Sequence, residues 1–485
     1  MQYERKQNVS LKNTTFFGVI WNFFEFFLRR GVAAIATLVL ARFLAPEDFG
    51  LIAAISIFLA LGSGLMDSGI RDALIRRRKL NDRLLNTAFF AGLFMGLVAY
   101  ALLYVAAPAV SEFYDNDKVL DVIRAAGLVI IISSVQIVPS ALLANKLEFK
   151  SLLLANFPAS VISAAAALLA AYAGAGVWAL VMQSAVFALV STVFIFLKAG
   201  WRPKFEFDLK LILILYGFGY KLFFANIISI IVRNITPTIL GRYLGLTSAG
   251  IYYLLDKIME LVMGQLVYAI QNVTYPALSK VGSNDEALKS FYQKIIIISA
   301  AVVSPVLAIG AGLAAPVFNL LFNDKWNAAV PYFQVMCAVY VLYPLHAINL
   351  NLLKVKGRSD IYLKLEVIKA AIVVSILTVS INYGLYAVLF GQLLSSILCY
   401  VVNSHYAKTL IGYSYIEQVK DFSPYILVSL IVAGLCHVLS TVLVTLPALV
   451  NILLVGPGAV LLYLALCYVF RLRAVGLIKS IIPAR

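Results

Sequence analysis

Charge is scarce in this sequence: Asp, Glu, Lys and Arg make up 13% of its 485 residues, against 62% apolar types. A water-soluble domain is typically about a quarter charged and about 45–50% apolar, so this balance excludes an ordinary soluble enzyme or a string of soluble modules. Histidine occurs three times and cysteine four times. His346, His405 and His437 are far apart and carry no ligand spacing, and Cys337, Cys399, Cys436 and Cys467 each fall inside an apolar run. That pattern argues against a metal centre or a disulfide framework and for buried thiols. No metal and no cofactor is expected. There is no P-loop for a nucleoside triphosphate, and no polar stretch long enough to fold alone. The first apolar run is too long for a signal-peptide core and lacks a small-residue cleavage site, so it reads as a retained first span.

What is abundant is apolar length. Fourteen runs of the roughly 20 residues needed to cross a bilayer are centred near Ala34, Phe58, Leu97, Ile132, Ala164, Leu189, Ile227, Val262, Leu307, Val339, Val374, Leu394, Ile431 and Leu461. The expected fold is therefore an all-α polytopic membrane protein of about 14 transmembrane helices. Placing the N-terminus in the cytoplasm puts most of the 39 Lys and Arg residues in cytoplasmic segments, as the positive-inside rule requires. The C-terminus then also lies inside. Arg76, Arg77, Arg78, Lys79 and Arg83 form the strongest anchor, and Glu112, Asp115 and Asp117 mark an outer loop. The net charge of +16 is accounted for by topology and anionic headgroups, with no nucleic-acid partner.

The sequence also repeats itself. Shifted by 200 residues, "LARFLAPEDFGL" at 40–51 aligns with "LGRYLGLTSAGI" at 240–251, and the ungapped window 23–70 holds 11 identities in 48 positions. Leu40/Leu240, Arg42/Arg242, Leu44/Leu244 and Gly50/Gly250 coincide. Six spans separate the copies, an even number, so the halves are parallel repeats related by an axis along the membrane normal. This predicts a six-helix lobe over 1–200, a second over 201–413, and two further spans over 414–485. The basic linker "KAGWRPKFEFDLK" at 198–210 joins the lobes.

Against this apolar background, eight charges lie deep: Glu25, Arg29 and Arg30 in the first span, Lys221 and Arg233 in the seventh, and Asp256, Lys257 and Glu260 in the eighth. A single arginine at the bilayer centre costs about 2.5–3.5 kcal/mol on translocon scales. Adjacent Arg29 and Arg30 need a reason to be there. Glu25 and Arg29 can pair at i,i+4, whereas Asp256 and Glu260 are like-charged at the same spacing and call for cations nearby, with Arg29, Arg30 and Lys221 as candidates. Interhelical pairing is the structural reading of any one of them. Together they predict a lumen with two cations in excess, suited to a phosphate or other acidic group. Arg29, Arg30, Lys221, Arg233 and Lys257 are the expected substrate-binding residues; Glu25, Asp256 and Glu260 are expected to pair them or to carry a coupling proton or sodium ion. Adjacent helical residues point about 100° apart, so one of Arg29 and Arg30 faces the lumen centre.

Weaker signals have plainer readings. Arg42 and Arg242 are expected to snorkel to headgroups rather than to gate. Glu366 and Lys369 read as an interfacial pair, and "DND" at 115–117 as an outer turn rather than a sugar-nucleotide site.

"LARFLAPEDFGLIA", "LMDSGIRDALI", "NVTYPALSK" at 272–280 and "LFNDKWNAAVPYFQVMC" at 321–337 resemble the Wzx-type polysaccharide flippases of bacteria, nearest the colanic acid and teichuronic acid exporter branch of the multidrug/oligosaccharidyl-lipid/polysaccharide exporter superfamily. The resemblance runs over most of 14–410. It implies a V-shaped central cavity between the lobes and alternating access. It also implies movement of an undecaprenyl-diphosphate-linked oligosaccharide from the inner to the outer leaflet of the bacterial cytoplasmic (inner) membrane. The implied partners are that glycan, membrane lipid, and a polysaccharide polymerase with its export machinery. The chain further resembles the lipid II flippase in its span count and its basic first span, which implies a lipid-tail groove over Ser423–Phe470. A transporter, not an enzyme, is expected. The rivals are an ion-coupled multidrug antiporter of the same superfamily, whose cavity would favour anionic or neutral walls, and a membrane polysaccharide polymerase or ligase, which would need a longer outer loop.

Overall fold

The computed structural model describes residues 21, 28, 29, 31–77, 80–281 and 284–481, without the side chains of 213–226 and of some scattered positions. Among these residues there are helices and no strand. The order is α1 (Gly31–Phe43), α2 (Pro46–Asp67), α3 (Ile70–Arg76), α4 (Asp82–Tyr114), α5 (Lys118–Asn145), α6 (Phe149–Tyr172), α7 (Trp178–Ala199), α8 (Leu209–Tyr243) and α9 (Gly245–Val281). There follow α10 (Asp285–Gly312), α11 (Ala314–Leu321), a 3-10 turn (Asp324–Ala329), α12 (Val330–Tyr340), α13 (Tyr343–Val355), α14 (Ser359–Ser380), α15 (Leu385–Ile411), α16 (Tyr415–Val442), α17 (Ala448–Val469) and α18 (Arg473–Ile481). Each of the fourteen predicted centres falls in a helix. Eleven helical segments are long and apolar enough to cross a membrane. Of the other three, α1 is short within the described residues, while α8 and α9, at 35 and 37 residues, carry the deep charges of the second repeat.

Local chemistry sets the helix ends. Pro46 opens α2 at its first position, where its missing N–H costs nothing, and the Asp48 carboxylate accepts the Ala45 N–H at 3.0 Å. Asn81 caps α4 by accepting the Leu84 N–H at 3.0 Å. Asn145, at the end of α5, donates to the Ile75 and Arg77 carbonyls at 2.9 and 2.8 Å and so satisfies the orphan C-terminus of α3. Prolines inside α4, α5, α6 and α10 are tolerated because neighbouring helices and hydroxyl side chains re-satisfy the freed carbonyls.

Two compact units result, Met1–Tyr253 and Leu254–Arg485. In the first, α4 packs on α5, α6 on α7, and α8 on α2. The 198–210 linker belongs to this unit because it is docked. Asn86, almost fully buried, accepts the Lys204 N–H at 3.0 Å and donates to Glu206 at 3.2 Å. Thr87 accepts the Asp208 N–H at 3.2 Å, and Arg83 pairs with Asp208 at 3.2 Å. Trp201 and Phe205 stack edge-on against Phe89 and Phe90, with centroids 5.8 and 5.1 Å apart. Grouping by proximity differs from sequence likeness, which sets the repeat boundary near 200.

The repeat has a physical counterpart. A Cβ on Gly50 would overlap the Leu246 carbonyl, and a Cβ on Gly250 would overlap the Pro46 carbonyl. Leu246 is Pro46 displaced by 200 residues, and Gly250 is Gly50 displaced by the same number. The starts of α2 and α9 therefore cross as reciprocal equivalents, each glycine admitting the other helix's first turn. Thr247 donates to Glu47 at 3.4 Å beside this crossing, and Phe49 meets Tyr253 with centroids 6.4 Å apart. The Tyr114 hydroxyl closes the same end, 3.0 Å from the Ala54 carbonyl and 3.1 Å from that of Thr238.

In the second unit, α10 packs along α16, and α17 lies against α16 and α11. Close approach again rests on small residues, since a Cβ on Gly312 would sit 2.5 Å from the Cys436 Cβ and 2.8 Å from the Ala433 carbonyl. Ser429 donates to Ser304 at 2.9 Å, and Tyr463 to the Ala301 carbonyl at 2.9 Å. The outward faces of α16 and α17 expose Leu427, Leu430, Leu453, Leu454, Leu461 and Leu464. A soluble protein rarely shows so continuous an apolar surface; here lipid is the solvent.

Candidate functional site

A cavity of about 390 Å³ lies between α2 and α8. From α2 it takes Ala60, Gly64 and Asp67, which recur at i, i+4 and i+7 and so share one helical face. From α8 it takes Ser229, Ile230, Arg233 and Asn234. Gly64 has no side chain to fill the gap, and an added Cβ would come within 3.0 Å of Ile230. The cavity ends where α2 breaks: Ser68 and Gly69 both take left-handed backbone angles, with φ of 42° and 78°, and the Ser68 hydroxyl donates to the Leu65 carbonyl. Asp67 stands at that break with Arg71 and Asp72 as its charged neighbours. A guanidinium and a carboxylate thus line one chamber, of a size that takes a headgroup-sized ligand.

Arg233 was expected to line a lumen and is in this cavity. Asp67 was not singled out from the sequence. Its signal was present in "LMDSG", an acid closing an apolar run directly before a Ser-Gly break. Arg29 is helical and half-buried. Glu25 and Arg30 lie outside the described residues. Lys221 lies on α8, at a position whose side chain is likewise outside them.

The charges of α9 that belong to the second unit find partners within it. Lys257 donates to Glu260 at 2.8 Å across an i,i+3 step. The Tyr340 hydroxyl on α12 donates to Asp256 at 2.7 Å. Glu260 thus obtains a cation from its own helix, and Asp256 accepts a hydrogen bond from a phenol.

The weaker signals resolve into structural roles. Glu366 and Lys369 pair at 2.5 Å on α14. The Arg242 guanidinium lies over the Phe113 ring, 5.4 Å from its centroid, and both Arg42 and Arg242 are exposed. "DND" makes the turn between α4 and α5: Asp115 takes the left-handed cap position at φ 50°, and Asn116 accepts the Lys118 N–H at 3.0 Å. His346 is hydrogen-bonded to Ser396 at 3.2 Å and to Asn403 at 3.1 Å. The four cysteines are buried and unpaired. In "NDKW", Trp326 is fully buried against Phe322, with centroids 6.1 Å apart, and Gln334 downstream donates to the Ala311 carbonyl at 3.1 Å. That segment packs against α11 and α12.

A family model described as polysaccharide biosynthesis protein matches residues 39–331. The sequence is similar to the lipopolysaccharide biosynthesis protein WzxC of Escherichia coli (strain K12), 25% identical over 430 residues that cover 85% of this chain and 84% of WzxC. It is also similar to the teichuronic acid biosynthesis protein TuaB of Bacillus subtilis (strain 168), 24% identical over 302 residues that cover 61% of this chain and 62% of TuaB. Among solved structures, the lipid II flippase MurJ in its inward closed conformation aligns with a TM-score of 0.67 at 16% identity, over 95% of this chain and 98% of that one. At that identity the likeness is one of fold.

Proposed function

Because the chain belongs to the polysaccharide biosynthesis protein family, we propose that it is a flippase. Its cargo in this reading is an undecaprenyl-diphosphate-linked oligosaccharide, carried from the inner to the outer leaflet of the bacterial cytoplasmic membrane for surface polysaccharide export. The observation that carries the reading is the chamber between α2 and α8, which Arg233 and Asp67 both line. A guanidinium presents a fork of donors that matches phosphate geometry, and low-dielectric walls strengthen its attraction for an anion. In this mechanism the diphosphate is drawn to Arg29, Arg30, Lys221 and Arg233, the glycan occupies aqueous space, and the prenyl tail stays in lipid along the exposed leucines of α16 and α17.

The crossing of Gly50 and Gly250 closes the end where α1 passes to α2, while the Asp67 chamber lies toward the opposite end of α2. In the proposed alternating-access cycle, this crossing parts when the bound cargo is released to the outer side. Flipping between like leaflets releases no free energy of its own, so net export needs coupling or consumption of the product. Asp67, Asp256 and Glu260 are the carboxylates proposed to carry a coupling proton or sodium ion. A polysaccharide polymerase and its export machinery are the proposed partners, and both termini are proposed to lie in the cytoplasm.

The test is complementation of a flippase-deficient bacterium, with expression matched and the leaflet of the lipid-linked glycan assayed. Wild type is expected to restore outer-leaflet glycan, whereas Arg29→Ala with Arg30→Ala, and separately Arg233→Ala, leave it inside. Full activity in all these variants would reduce the arginines to structural pairing and overturn the cationic-lumen mechanism.

A further inference from the structure

A second cavity, of about 330 Å³, opens in the other unit between α10 and α18. Its α10 wall runs Ser290, Gln293, Lys294 and Ile297, a single face at i, i+3, i+4 and i+7. Along that wall the lining changes from hydroxyl and ammonium to aliphatic within about 10 Å of rise, the depth over which a leaflet passes from headgroup to acyl chain. From α18 come Arg473, Gly476 and Leu477. Two cations therefore line the polar end, two aliphatic side chains the other, and no acidic side chain faces in among the described residues.

The polar end is built rather than incidental. Asp421 on α16, 10% exposed at its side chain, accepts from Arg473 at 3.1 Å, Gln293 at 2.5 Å and the Tyr413 hydroxyl at 2.7 Å. Burial first, then the hydrogen bond with Asp421 and its charge, holds the Tyr413 phenol above its ordinary range, so it remains a donor. The Ala474 N–H donates to the Tyr425 hydroxyl at 2.8 Å, fixing the first turn of α18. Arg473 is thus held at the rim with most of its side chain, 70%, still exposed. Lys294 is exposed and has no hydrogen-bond or ion-pair partner among the described residues.

We propose that this cavity binds the phosphate of an anionic phospholipid from the surrounding leaflet, with Lys294 and Arg473 on the phosphate, Ser290 as a hydroxyl donor, and Ile297 and Leu477 against the first acyl carbons. A leaflet source follows from the gradient of the lining: a soluble phosphate has no use for an aliphatic floor. The site goes beyond the flippase reading and does not depend on it.

The full-length chain is released from mixed phosphatidylglycerol and phosphatidylethanolamine nanodiscs, and the lipid it retains is counted by native mass spectrometry. Wild type is expected to keep phosphatidylglycerol over phosphatidylethanolamine by about fivefold or more, the order of one surface cation's attraction for an anionic lipid. Lys294→Gln is expected to lower that preference. Gly476→Leu is the second arm: a Cβ there meets nothing within 4 Å, so the added side chain fills the cavity without disturbing Asp421, and the preference should fall to near unity. Equal retention of both lipids by wild type, or an unchanged preference in both variants, overturns the proposal. Displacement of the retained lipid by millimolar inorganic phosphate would assign the cavity to a soluble anion and overturn the leaflet source.

Discussion

At the scale of the residue, Asp67 is the side chain most worth changing. It shares a chamber with Arg233 and closes a span that is almost wholly apolar after its first turn. Asp67→Asn keeps the shape and removes the charge. Outer-leaflet glycan should fall by about tenfold, equivalent to 1.4 kcal/mol, at unchanged protein level; an unaltered flipping rate would make Asp67 a helix-end residue only. Trp326 offers the contrasting case. It is fully buried among Phe322 and its neighbours, so Trp326→Ala should cost about 3–5 kcal/mol. The loss should appear as a lower melting temperature by fluorescence-detected size exclusion, with residual activity in whatever folds. Arg233 was legible from sequence because a charge in an apolar run stands out. Asp67 was harder to find because it closes its run, where a charge reads as an interfacial anchor. The Lys257–Glu260 bond was less legible, because an i,i+3 neighbour on the same helix competes with partners on other helices.

Elements were legible to the extent that their period or length was. All fourteen predicted centres lie in helices, since about 20 apolar residues have one stable conformation in lipid. The docking of the linker onto α4 was not legible: Asn86 and Thr87 are ordinary polar residues in the sequence, and only the fold aims them at Lys204 and Asp208. The repeat aligned Gly50 with Gly250 in the sequence, but that their helices cross is visible only in the fold, because alignment marks equivalence and not contact. The crossing makes a specific demand. Gly50→Ala places a methyl group against the Leu246 backbone, which cannot rotate away. With Glu47→Cys and Thr247→Cys introduced as reporters, whose native side chains meet at 3.4 Å, an oxidative cross-link should form readily. Adding Gly50→Ala should slow it severalfold. A cross-link that forms just as fast would mean the first turns approach without needing the glycine.

For the whole molecule, composition dictated the class: a chain 62% apolar and 13% charged has only the bilayer for a solvent. The positive-inside count then assigns sides, and the assignment can be measured. Phe205 in the linker is 91% exposed and Tyr172 at the end of α6 is 82% exposed. In intact cells a membrane-impermeant maleimide should label Tyr172→Cys and spare Phe205→Cys, with the native thiols silent because all four are buried. The reverse labelling would invert the topology and, with it, the direction of transport.

The reciprocal fit of Gly50 on Leu246 and Gly250 on Pro46 is, in form, an isologous contact of the kind that closes symmetric dimers, here folded into one polypeptide. Such a patch is complementary to itself. A change at either glycine therefore alters only one half of a two-fold seam. Because each glycine meets a backbone carbonyl, Pro46 and Leu246 differ in side chain without disturbing the fit, whereas neither glycine has room for a Cβ.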